Sequence, residues 1–140
     1  MSPSATATKN RKTEPKVPSP LGLAIQAAVD ASGLCTVHQP DRLYQCTYQL
    51  IASGTVFAFE RVTKNHITIW LPATAAVETA VTSQGIVIPS ISVPYPYTDE
   101  PERYGRLSSL KQVPELANEK LFAVKVVSVG QIMGILGAGI

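Results

Sequence analysis

Charge is scarce in this chain. Asp, Glu, Lys and Arg make up 16% of its 140 residues, against 45% apolar side chains. So sparse an ionic surface leaves room for a buried contact, with a partner protein or with a second copy of the chain. Cysteine is nearly missing too. Cys35 and Cys46 are too few for a disulfide framework, and no charged-then-apolar leader opens the sequence, so a reducing cytoplasm is the expected location. Long hydrophobic runs are lacking as well: residues 126–140 are uncharged but fall short of the roughly 17–25 that a spanning helix needs. No membrane association is expected. Nor does a Gly-rich phosphate loop or a dinucleotide fingerprint occur, so no cofactor is expected.

The positive charge that exists is unevenly placed. Residues 1–20 hold Lys9, Arg11, Lys12 and Lys16 against Glu14, net +3, whereas the other 120 residues hold eight basic and nine acidic groups, net −1. A near-neutral body argues against a duplex-DNA binder with a broad basic face. Residues 1–17, rich in Ser, Thr, Pro, Ala and Lys, contain too little apolar surface to offset ordering entropy and are expected to be a disordered basic tail. The remainder, 18–140, is one domain's worth of chain.

The strongest pattern lies at residues 55–71. Two apolar-rich runs alternate in period 2 around a polar Thr63-Lys64-Asn65 connection, which predicts a β-hairpin. Ile67, Ile69 and Leu71 share one face; His66, Thr68 and Trp70 share the other. On the first run Val56, Ala58 and Val62 oppose Phe57, Phe59 and Arg61, so both faces are partly apolar and the hairpin belongs inside a covered sheet. Residues 43–51 fit a strand or one helical face; Thr, Tyr and Cys favour the strand, which gives a three-stranded meander over 43–71. Residues 121–127 read as a further buried strand. Prolines at 89, 94 and 96 limit 86–97 to an edge strand or extended loop.

Helices are predicted over 20–32, 73–84 and 128–138. The first starts on the Ser19-Pro20 cap, carries Leu21, Ala24, Ile25, Ala28 and Val29 on one stripe and stops at Gly33, leaving Gln26, Asp30 and Ser32 for solvent. One or two short helical turns are expected within 107–116. The fold class is therefore α+β: an antiparallel sheet of four to five strands with helices mainly on one face.

Chemistry-bearing residues form no convincing catalytic set. Cys35-x-x-His38 with Cys46 and His66 is a thin zinc pattern beside a true pair of knuckles, and no strained elbow presents either thiol as a nucleophile. Asp99, Glu100 and Glu102 read as a solvated loop rather than paired catalytic acids. Enzyme activity and a metal site are both disfavoured.

The stretch 95–111 stands out for a different reason. Tyr95, Tyr97, Arg103, Tyr104, Arg106 and Lys111 combine the side chains enriched at binding hot spots, and Trp70, which reads as second-side core or as an exposed contact, is a further candidate. The expected function is a non-catalytic protein-binding domain, an accessory or inhibitory factor of the kind bacteria and their mobile elements carry, with a homodimer as a related expectation. The rival reading is a nucleic-acid-binding accessory protein that uses the basic tail with Arg103, Arg106 and Lys111.

Overall fold

A computed structural model describes residues 17–41, 45–87, 91–92, 110, 112–117 and 119–140. Among the described residues, four helices, α1 Pro20–Ala31, α2 Ala75–Thr82, α3 Pro114–Ala117 and α4 Val129–Leu136, accompany six strands. These are β1 Cys35–Gln39, β2 Gln45–Leu50, β3 Val56–Glu60, β4 Ile67–Pro72, β5 Ile91–Ser92 and β6 Leu121–Val126. The chain is α+β, as its alternating periods predict. The expected disordered tail lies outside the described residues except for the exposed Val17.

The strands form one sheet in the order β1-β2-β3-β4-β6-β5, every neighbouring pair antiparallel. The expected meander is present and gains β1 on its outer side, with a register irregularity between Val37 and Gln39. The ambiguous 43–51 stretch resolves as strand over Gln45–Leu50, with Tyr48 opposite Phe57 and Cys46 opposite Phe59. Among the described residues of the proline-limited stretch, Ile91–Ser92 form an edge pairing on Phe122 and Leu121.

Side-chain alternation sorts the strands into two cores. Phe57, Phe59, Ile67, Ile69, Leu71, Val124 and Val126 join Ile25 and Val29 of α1, Val77 and Val81 of α2, and Ile132 and Ile135 of α4 in one cluster. Within it Tyr48 stacks on Phe57 and Phe59 at ring-centroid distances of 6.0 and 5.7 Å. Offset aromatic contacts of this kind add about 0.5–1.5 kcal/mol beyond area burial. The opposite face gathers Val56, Ala58, Trp70, Leu121 and Ala123 under Leu110, Val113 and Leu116.

Caps fix where the helices begin. Ser19 Oγ accepts from the Gly22 N–H at 3.0 Å, and donates to the Thr63 carbonyl at 2.8 Å. The Ser19 N–H donates to the Arg61 carbonyl at 2.9 Å, so the start of α1 is tied to the segment that follows β3. Gly22 makes that approach feasible, since a Cβ there would overlap the Arg61 carbonyl. Thr74 and Ser128 cap α2 and α4 in the same manner.

The hairpin connection is wider than the sequence suggests and is organised by a buried acid. Glu60 is 5% exposed. Its Oε1 accepts from the Val62 and Thr63 N–H groups at 2.8 and 3.0 Å, and its Oε2 from Thr68 N–H at 3.0 Å. One carboxylate thus satisfies three backbone donors between β3 and β4, the condition for an acid to be tolerated at this depth.

Candidate functional site

Described residues near either end of the candidate contact stretch belong to the fold. On its N-terminal side, Ile91–Ser92 pair with β6 at the sheet's edge; on its C-terminal side, Leu110 is fully buried in the second-face core. Tyr95, Tyr97, Arg103, Tyr104, Arg106 and Lys111 themselves lie outside the described residues. Trp70 is described, and it is corrected from a candidate contact to core. At 2% exposure it sits opposite Ala58 and Ala123, in the cluster closed by Leu110, Val113 and Leu116. Alternation placed it on the right face, but could not tell that this face is covered.

The residues weighed for metal or nucleophilic chemistry are separated by the fold. Cys46 is fully buried opposite Phe59. Burial, reinforced by the nearby Asp41, pushes its thiol up to about 12. Cys35 is half-buried on β1, and burial raises its thiol as well, only partly opposed by a hydrogen bond with Ser32. A raised thiol holds little thiolate at neutral pH, which is the reactive form. His38 Nε2 lies 3.1 Å from Glu115 Oε2, an ion pair when the imidazole is protonated. Among the described residues no group of three or more His, Cys, Asp or Glu is arranged to hold a metal ion.

Sequence reasoning missed a polar network that ties α1 to the sheet. Gln26, expected to face solvent, is half-buried and engaged; Asp30 is exposed, as expected, and joins the network from the surface. Tyr48 OH donates to Asp30 Oδ1 at 2.6 Å, and burial together with that bond raises the phenol above its ordinary range. Arg61 Nη1 donates to Gln26 Oε1 at 2.9 Å, while Gln26 Nε2 donates to Asp41 Oδ2 at 2.8 Å. Arg61 Nη1 lies a further 3.6 Å from the same Asp41 oxygen. Ser32, the third expected solvent residue, donates to the Val29 carbonyl and accepts from the Leu34 N–H, closing the end of α1. The partners are 15 to 35 residues apart in the chain, so no local spacing could reveal them.

Apolar surface is found at the β1 end of the sheet. Leu34, Val37 and Ile51 are 36%, 58% and 63% exposed. Beside them Leu34, Leu50, Leu136 and Ile140 line a shallow cavity of about 260 Å³, below the size usual for a small-molecule site. Among the described residues no helix is long and apolar enough to cross a membrane. No family model, no curated protein and no solved structure matches the chain.

Proposed function

We propose that this chain is a non-catalytic protein-binding domain that works as an accessory or inhibitory factor in the cytoplasm, contacting its partner through residues 95–111. The observation that carries this reading is the placement of described residues near both ends of the stretch: Ile91–Ser92 pair with β6, and Leu110 is fully buried. Fixing the residues that flank a Tyr- and Arg-rich segment restricts the span that such a segment has to cover. Such restriction lowers the ordering cost of recognition. Engagement of Glu60, Asp30, Asp41 and His38 in contacts within the fold, with both thiols raised, further supports binding over chemistry.

The test uses wild-type protein and a Tyr104→Ala/Arg106→Ala variant as matched baits in native lysate, with the thermal midpoint of each as a folding control. A partner captured by wild type and lost by the equally stable variant supports the assignment. Equal capture by both overturns the assignment of residues 95–111. Capture that collapses between low and moderate salt, and on deletion of residues 1–17, favours the nucleic-acid reading, because phosphate contacts release counterions.

A further inference from the structure

We propose that β1 is the contact edge of a homodimer, in which two copies of the chain pair their β1 strands antiparallel about a two-fold axis at Thr36 and so join their sheets. Among the described residues β1 is the outermost strand on its side of the sheet. Its ladder shows which backbone groups face outward. Ile51 N–H donates to the Leu34 carbonyl at 2.9 Å, and these two residues adjoin the Cys35–Leu50 pair in the same register. Hydrogen-bonded and non-bonded pairs alternate along an antiparallel ladder, so Leu34 and Thr36 bond to β2 while Cys35 and Val37 turn their N–H and C=O groups away from it. The Leu50 N–H, opposite Cys35, accordingly points to the other side and donates to the Thr55 carbonyl at 2.8 Å. An outward row of this kind is a template for another strand.

The edge lacks the charges and prolines that keep strands from pairing. From Ala31 to Pro40 the sequence has no Asp, Glu, Lys or Arg, and no proline lies within β1. Thr36 and Val37 are exposed, Val37 at 58%. A second copy fits because the outward groups are self-complementary, as an isologous contact requires. Only registers centred on Cys35, Thr36 or Val37 bring those groups together. Centring on Val37 sets Cys35 against Gln39, across the register irregularity. Centring on Cys35 sets Val37 against Gly33, whose φ of +73° is not extended. The register centred on Thr36 stays inside the regular strand: each Cys35 meets the second copy's Val37, and each such pair exchanges both backbone bonds. Cys35 packs against the helix-covered core, and Val37 shares its face by alternation, so each exposed valine is covered by the other copy's Cys35. An edge free of charge meets its own copy without repulsion. The contact is separate from residues 95–111 and leaves them available to another partner.

Analytical ultracentrifugation of the full chain over a concentration series tests this, with thermal midpoint and far-UV circular dichroism as folding controls. Wild type is expected to pass from one chain to two as concentration rises. Val37→Lys places a charge on the edge; Val37→Pro removes an outward donor while sparing the bonds to β2. Each should raise the dissociation constant about tenfold or more. In a Cys35→Ala background, Thr36→Cys should form an interchain disulfide on treatment with diamide, since residues facing each other in a non-hydrogen-bonded pair lie within disulfide reach. Leu23→Cys, exposed on α1, should not. A wild type that stays a single chain throughout, or a dimer left intact by the folded Val37 variants, overturns the proposal. A Thr36→Cys thiol that links no faster than Leu23→Cys overturns the register.

Discussion

The two faces of the sheet are covered by very different means. On one, residues of three capped helices close over a stacked Tyr48–Phe57–Phe59 trio. On the other, the described cover is a short segment seated by Leu110, Val113 and Leu116. A face fixed by many mutually supporting contacts resists change at any one of them only through cooperative loss of the whole. Among the described residues, the contrast assigns the larger share of the buried core to the first face.

Three experiments address that division. Phe59→Ala removes a fully buried ring that stacks on Tyr48 and Phe57. A loss of about 3–5 kcal/mol is expected in the urea unfolding free energy, and a loss near 1 kcal/mol would remove the first face from its assigned role. A pH series probes the same core more gently. Burial holds the Cys46 thiol at about 12, against an ordinary 9.0. Because the folded state keeps this proton longer than the unfolded chain does, the stability it contributes is complete below pH 9 and is lost as pH rises through about 12. Unfolding free energy should thus fall across that window, and Cys46→Ala should flatten that part of the slope. The smallest effect is expected on the second face. Leu116→Ala should lower stability at the lower end of the about 2–5 kcal/mol of a core leucine, since its described cluster is the smaller of the two. A loss at the upper end of that range by urea titration would give the second face an equal share.

How much of this was legible in the sequence depends on the reach of each contact. Ile67, Ile69 and Leu71 alternate within five residues, and the Ser19-Pro20 cap acts within three, so the hairpin and the start of α1 could be read directly. The Ala-rich helix was read too, though observed as the shorter Ala75–Thr82. Gln26 and Ser32 are half-buried rather than solvent-facing, and the partners of Gln26 and of the exposed Asp30, namely Asp41, Arg61 and Tyr48, arrive only once the sheet has formed. Trp70 shows a subtler limit. Period-2 spacing tells which residues share a face, but the described cover over that face comes from Leu110, Val113 and Leu116, far along the chain. The remaining contact candidates, Tyr95 to Lys111, lie outside the described residues, and their grouping rests on composition alone.

Glu60 bears on how freely this chain can vary. A tight hairpin normally depends on Asn-Gly or Asp-Gly at its tip to reach the necessary backbone angles. Here the amides of Val62, Thr63 and Thr68 are met by a side chain rooted in the strand itself. The exposed tip, Lys64 and Asn65, is thereby relieved of turn duty. Its amino acids are interchangeable so long as the acid at position 60 endures, which makes this bend the natural place to graft a tag or a foreign peptide without disturbing the sheet.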